Sequence, residues 1–347
     1  MAADLLAFTT ALVVSFSLTV PVRRLALRIG MVDMPSPRKV HRTPIPLLGG
    51  LAIYSSVILG LLVSMHPSAR TQVVGVLAGA TLLVAVGILD DRGLLHHQIK
   101  LFVGMPLAGV ILLASGVRAE VFSVFWPGTT GQWLDAALTI LWITGITAAF
   151  SILDHMDGLC AGTAAIASAF YAALAVLNGQ VLVSTLAAAV LGGALGFLRW
   201  NFNPAKIFLG DGGAMFLGFL MATLGLKLRL AEMPCEATWM IPVLILGVPV
   251  LDTTLISISR SRRGLIPFTS PGKDHAAHRL AGLGLGPRGA VLSLYAWGAL
   301  CGLLALLISR LAATQAWTVA AMWLVAMLAA IAALEAVPYE RQSKKAT

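Results

Sequence analysis

Ten of the fifteen acidic residues in this chain are aspartates, and eight of these lie at one end of an apolar run or in the loops between runs. Asp90 and Asp91 are adjacent, with Arg92 after them and Lys100 further on. Two neighbouring carboxylates beside a cation suit Mg²⁺, a phosphate, or removal of a proton. They equally suit a solvated helix end that Arg92 and Lys100 neutralise. Asp154 and Asp157 follow at a spacing of three, which predicts one helical face, and no Lys or Arg stands near them in sequence. Two like charges so placed are destabilising unless a cation or a donor joins them. An oxygen-ligated metal or the hydroxyls of a ligand would meet that need.

Two further stretches carry polar chemistry. The first runs from Asn201 through Phe208 to Gly210-Asp211-Gly212-Gly213. Asp211 there either caps the helix that follows or joins a ligand site. The glycines would leave backbone N–H groups at a helix N-terminus for an anion. Phe208 is placed to stack on a ring or to pack in lipid. The second runs from Arg260 to Arg288 and contains Arg262-Arg263 and Lys273-Asp274-His275-Ala276-Ala277-His278-Arg279. This set suits a diphosphate or anionic lipid heads. His275 and His278 alone are too few for zinc. His96 and His97 read as surface residues, and the scattered Cys160, Cys235 and Cys301 as packing residues.

The elements that must hold these groups are membrane helices. The chain has 347 residues, of which 58% are hydrophobic and 11% charged, against about 25% charged in soluble domains. Soluble folds and disorder are excluded on that ground. Apolar runs recur at Leu5–Val20, Gly49–Met65, Val73–Leu89, Leu101–Leu113, Leu134–Ile152, Thr163–Leu177, Leu182–Phe197, Ala214–Leu226, Trp239–Ile258, Ala290–Ile308 and Thr318–Leu334. They predict an all-α bundle of about eleven transmembrane helices. Residues 1–347 form one integral-membrane domain, with 338–347 as a short basic cytoplasmic tail.

Charge gives the orientation. Arg23, Arg24 and Arg28 follow the first run and no basic residue precedes it, the reverse of a cleavable signal. With the N-terminus outside, 19 of the 24 Lys and Arg residues fall on the inner side; Arg70, Arg118, Lys227, Arg229 and Arg310 fall outside. The net charge of +9 is thereby explained without nucleic acid. The eight aspartates Asp33, Asp90, Asp91, Asp154, Asp157, Asp211, Asp252 and Asp274 share the inner, cytoplasmic face. No ionisable residue falls near the middle of a run. No P-loop, GxSxG, HExxH or GxGxxG pattern is present.

Taken together, these stretches resemble the polyprenyl-phosphate N-acetylhexosamine-1-phosphate transferases. Asn201, Pro204, Ala205, Phe208, Gly210, Asp211, Gly213, Leu217 and Gly218 fit the pattern N-x-x-P-A-x-x-F-x-G-D-x-G-x-x-x-L-G. Asp33, Pro35, Arg38, Lys39, His41, Pro44, Pro46, Gly49 and Gly50 fit the first inner loop, and Asp90, Asp91, Leu95 and Lys100 the Asp-Asp motif. The resemblance implies transfer of a sugar-1-phosphate, GlcNAc-1-phosphate above all, from a UDP-N-acetylhexosamine to polyprenyl (undecaprenyl) phosphate. UMP is released, and Mg²⁺, with Mn²⁺ as a substitute, is the cofactor. It also implies a multi-pass enzyme of the bacterial inner membrane that initiates a cell-envelope glycan; a homodimer stays open.

By the same resemblance Asp211 is a metal ligand, together with Asp90 and Asp91, which also handle the lipid phosphate. Lys100 contacts phosphate, and Asp154 faces the sugar or diphosphate. Asn201, Phe208 and Asp157 contact the uridine, and His275, His278 and Arg279 clamp the diphosphate or sugar. Lys39 and His41 add substrate contacts from the first loop. The chain departs from the family pattern at Ala148 and Ser151 (often Asn), His155 (often Gly), Gly272 (often Asp) and Ala277 (often His). A phospho-MurNAc-pentapeptide translocase is the alternative within the family, though that branch usually carries three consecutive His. Outside it stand a lipid or sugar transporter, whose charges would lie nearer the midplane, and an inactive scaffold.

Overall fold

The computed structural model describes residues 1–35, 43–64, 70–230, 238–266 and 272–337. Every apolar run is helical. α1 spans Ala2–Arg28, α2 Gly49–Ser64, α3 Arg70–Asp91 and α4 Met105–Ala114. α5 spans Thr129–Leu153, α6 Leu159–Leu177, α7 Val181–Asn201 and α8 Gly210–Lys227. α9 spans Gly247–Arg262, α10 Gly286–Ile308 and α11 Ala313–Ala336. Seven helices among the described residues are long and apolar enough to cross a membrane; Gly49–Ser64 and Lys100–Ala114 are shorter apolar helices. The run Trp239–Ile258 is broken at Leu246, between a short helix Met240–Ile245 and α9. Pro249, in the first turn of α9, has no N–H to give the Ile245 carbonyl.

α8 is the hub. It packs on α2, α3, α5, α6 and α7, and its residues from Gly212 to Leu224 are all buried. A helix apolar all round belongs in the middle of a bundle. Its approach to α3 depends on small residues: a Cβ on Gly87 would lie 2.3 Å from the Gly212 Cα. α1 and α11 are apolar on faces that the protein does not cover, as lipid-facing helices are, whereas α6 and α7 are mostly enclosed.

Among the described residues one short antiparallel ladder interrupts the all-α pattern. β1 (Val32–Asp33) pairs with β2 (Ile45–Pro46), Val32 opposite Pro46. The segment before α8 is stitched to it. Phe208 donates its N–H to the Pro46 carbonyl, and the first two N–H groups of α2, Gly49 and Gly50, donate to the carbonyls of Phe208 and Leu209. Backbone hydrogen bonds therefore join β2, the start of α2 and the segment that leads into α8. The tail at 338–347, Cys235, Lys39 and His41 lie outside the described residues.

Candidate active site

Four carboxylates meet at one end of the bundle. α3 ends on Asp90 and Asp91, α5 is followed by Asp154, and α8 opens with Gly210-Asp211. Lys100 opens a π-helical turn, Lys100–Gly104, ahead of α4. Its Nζ lies 2.7 Å from Asp90 Oδ2 and 2.8 Å from Asp211 Oδ2. Ser151 Oγ donates to Asp211 Oδ1 at 2.7 Å. Arg92 takes no part: it is exposed, and its Nε lies 3.4 Å from the Met31 sulfur.

The first turn of α8 is capped from outside itself. Asp211 N–H donates to Asp91 Oδ1 at 3.1 Å, Gly212 N–H also bonds to Asp91, and Gly210 N–H bonds to Asp154. The orphan donors of a helix start are thus taken by carboxylates of two other elements. This corrects two expectations: Asp211 does not cap its own helix, and these glycine N–H groups are not left for an anionic ligand. Gly210 adopts a left-handed φ of 76°, and a Cβ there would come within 2.7 Å of Asp91 Oδ2. Only glycine lets Asp91 approach so closely.

Charge in this cluster is unbalanced among the described residues: Lys100 meets Asp90 and Asp211, while Asp91 and Asp154 add two further carboxyl groups. Burial pushes the Asp154 carboxyl well above the usual carboxylate range, and the negative charges of Asp211, Asp91 and Asp157 push it further. Oxygen donors of like charge crowded in this way match what a hard divalent cation takes up. Asp211 and Asp90, joined through Lys100, are the best placed to hold one.

Asp154 and Asp157 do not share a helical face. α5 ends at Leu153, Asp154 has φ −80° and ψ 52°, and α6 begins only after Gly158. The two carboxylates part across this turn. Asp154 joins the cluster, while Asp157 accepts from Asn203 Nδ2 at 2.9 Å and Ala205 N–H at 3.0 Å. Asn201 is buried, accepting from Gly158 N–H at 3.1 Å and donating to the Ile207 carbonyl at 3.0 Å. Asp157 and Asn201, expected on the uridine, thus brace the 202–209 segment against the turn. Phe208 is half-buried on that segment.

A second cluster adjoins the first through the Asp154–His155 peptide. The His155 ring stacks on His275, with centroids 3.9 Å apart, and lies 4.9 Å from His278. His155 Nδ1 is 3.2 Å from the Ile152 carbonyl, which places the ring proton there. Its Nε2 is buried without a hydrogen-bond partner among the described residues. Burial and the neighbouring His275 hold His155 well below the usual imidazole range, so the ring stays neutral. His275 is oriented by Asp252, whose Oδ2 lies 2.8 Å from Nδ1 and whose Oδ1 accepts from Ala276 N–H at 2.7 Å. The ligand atoms of His155, Asp252 and His275 fall within 4.8 Å of one another.

Behind the histidines lies a buried ion network. Arg260 binds Asp274 with two hydrogen bonds of 2.9 and 2.8 Å, and Arg263 joins the same carboxylate. Burial alone would raise the Asp274 carboxyl. The two guanidiniums outweigh it and hold that group well below the usual range.

Arg279, expected on the diphosphate, is 1% exposed and engaged by the protein. Nε donates to the Asp274 carbonyl, Nη2 to Ser259 Oγ, and Nη1 to the Leu334 carbonyl and Glu335 Oε2. It ties the His275–His278 segment to the end of α11, because a buried guanidinium must find acceptors for its donors.

Sequence reasoning therefore found the acids but missed the residues that aim them. Ser151 drew notice only as a departure from a pattern. Asp252 showed its one signal, an acid just inside an apolar run. Arg260, Arg263 and Asp274 read as loop charge, since separations of 11 and 14 residues carry no local signature.

Comparison with known proteins fits this geometry. Residues 73–229, from α3 through α8 to just beyond it, match the family model described as Glycosyl transferase family 4. A Bacillus subtilis protein named "Probable undecaprenyl-phosphate N-acetylglucosaminyl 1-phosphate transferase" is 39% identical over 296 residues, covering 84% of this chain and 81% of that protein. A Mycobacterium tuberculosis decaprenyl-phosphate N-acetylglucosaminephosphotransferase is 31% identical, covering 83% and 78%. A Yersinia pestis undecaprenyl-phosphate alpha-N-acetylglucosaminyl 1-phosphate transferase is 28% identical, covering 94% and 91%.

Proposed function

The chain belongs to glycosyl transferase family 4, and from that premise we propose that it transfers N-acetylglucosamine-1-phosphate from UDP-N-acetylglucosamine to a polyprenyl phosphate. An oxygen of the lipid phosphate forms a bond to the sugar-bearing phosphorus. The bond from that phosphorus to the bridging oxygen breaks, and UMP leaves with the electron pair. The products are polyprenyl-diphospho-N-acetylglucosamine and UMP. The observation that carries this reading is the gathering of Asp90, Asp91 and Asp154 near Asp211, with Lys100 bridging Asp90 and Asp211.

Each group has a task in that reaction. Asp211 and Asp90 would hold Mg²⁺, or Mn²⁺ in its place. Bound there, the ion would neutralise diphosphate oxygens and orient them for in-line attack. Lys100 offsets the charge of the incoming lipid phosphate. A phosphate monoester is largely ionised near neutral pH, so the attack needs no strong base, and positioning supplies much of the rate. Asp91 and Asp154 hold the first turn of α8 and with it Asp211. His278 and the oriented His275 face the donor's diphosphate or sugar, with Phe208 on the uracil and Lys39 and His41 from the first loop. The carboxylate end faces the cytoplasm of a bacterial inner membrane, with about eleven spans and the N-terminus outside, so soluble donor and membrane acceptor meet at one boundary.

The test is a donor panel. Purified protein with undecaprenyl phosphate and Mg²⁺ should release UMP and form lipid-linked sugar with UDP-N-acetylglucosamine. UMP formed without the lipid, or with another UDP-sugar alone, would overturn the assignment of acceptor or donor.

A further inference from the structure

At the other end of α3 and α8 is a cavity of about 680 Å³. Its cationic lining comprises Arg118, Lys227 and Arg229, with Gln72 beside Lys227, and no carboxylate is among the described lining residues. Among the described residues the Lys227 ammonium donates one hydrogen bond, to Gln72 Oε1, of the three it can make. Arg118 is exposed and makes no hydrogen bond or ion pair among the described residues. Arg229 meets Glu120 at 3.3 Å, with both side chains about half exposed, a pair of little strength. Asp4, which accepts from Ser184 and Thr185, does not line the cavity either.

Position gives this charge its meaning. Gln72 and Asp90 are 18 residues apart on α3, about 27 Å at 1.5 Å per residue. That is close to the hydrocarbon thickness of a bilayer, about 30 Å. The cavity therefore opens at the membrane boundary opposite the carboxylate cluster. That face carries only five of the chain's 24 basic residues, and three of the five line this one cavity. Beside it the apolar side chains of Leu61, Val73, Val76, Leu186 and Leu224 close on a void of about 20 Å³, room for about one water molecule and none for an acyl chain. A cationic chamber at headgroup depth, beside an apolar wall, suits the phosphate of a lipid whose chains stay in the bilayer.

We infer that this cavity binds an anionic phospholipid of the opposite leaflet, with its phosphate between Arg118, Lys227 and Arg229 and its acyl chains in the surrounding bilayer. The experiment is native mass spectrometry of protein from nanodiscs with equal phosphatidylglycerol and phosphatidylcholine. Wild type should keep one phosphatidylglycerol in preference to phosphatidylcholine. Arg118→Gln/Lys227→Gln/Arg229→Gln should lose that preference, at roughly fivefold per charge removed. Arg118→Lys/Lys227→Arg/Arg229→Lys should keep it, with both variants melting like wild type. Equal retention of the two lipids by wild type would overturn the inference, as would a preference that survives the glutamine substitutions. Full displacement of the lipid by millimolar glycerol 3-phosphate would overturn the lipid and leave a soluble phosphate ester as the occupant.

Discussion

Arg279→Met separates two roles for one guanidinium. The side chain keeps its length and loses its donors. Among the described residues four acceptors are left behind: the carbonyls of Asp274 and Leu334, Ser259 Oγ and Glu335 Oε2. Removing one partner of a buried charged pair costs about 3–5 kcal/mol. Glu335 retains 17% exposure and recovers some hydration, so the lower part of that range applies. With an unfolding entropy of roughly 2.1 cal/mol/K per residue, the midpoint in detergent falls by at least about 4 °C. Arg279→Lys restores the charge but cannot reach all four acceptors, and should melt in between. Turnover should fall with the melting point, because Asp274 and His275 lose their tie to α11. The assay is a thermal melt paired with kcat and KM for the UDP-sugar. Unchanged melting with a KM raised on the order of 100-fold would put the guanidinium on the substrate and refute the structural role.

Other outcomes follow from the same contacts. Ser151→Ala removes a hydrogen bond to an ionised carboxylate, worth about 1.5–3 kcal/mol. Turnover should drop about tenfold or more, while Ser151→Thr, which keeps the hydroxyl, should stay near wild type. Asp91→Ala should destabilise the start of α8 by about 1–2 kcal/mol, the worth of a helix cap. Asp91→Asn, which keeps an acceptor oxygen, should cost less in the same melt. Asp274 has a folded-state pKa below its unfolded value. Its stabilisation is therefore fully present above the unfolded carboxylate range, about pH 4, and is lost as pH falls through the folded value. Melts of wild type and Asp274→Asn should differ by a constant gap from pH 7 to about 4.5, and the gap should narrow below about pH 4. A gap that narrows near neutrality would assign the effect to another group.

Much of this arrangement was legible in the sequence. Apolar runs foretell the helices α1 to α11, because lipid and core demand the same residues, though seven helices among the described residues are long and apolar enough to cross a membrane. The aspartates drew attention because unpaired acids at the ends of such runs need a reason. Asp90, Lys100, Asp154 and Asp211 do converge. What escaped was direction. Asp154 and Asp157 look like helix neighbours at a spacing of three, but the helix stops at Leu153 and sends them to different partners. Asp91 caps a helix that begins 119 residues later in the chain, a pairing that rests on the close contact of Gly87 with Gly212 and on the missing side chain of Gly210. Arg279 sits in a run of basic and imidazole side chains that reads as a phosphate site, yet Ser259, Leu334 and Glu335, which accept from it, lie on α9 and α11. Contacts across such separations leave no local period to read.

The most direct test of the central claim, that the carboxylate cluster is a cation-dependent phosphoryl-transfer centre, is UMP release against Mg²⁺ concentration for wild type and Asp211→Asn. Wild type should be inactive in EDTA, recover fully with Mg²⁺, and saturate. Asp211→Asn should melt like wild type and lose at least about 100-fold in turnover, since even outer residues of a metal site cost 10–100-fold. Wild-type turnover that persists in EDTA, or an Asp211→Asn enzyme with an unchanged Mg²⁺ curve, would contradict it.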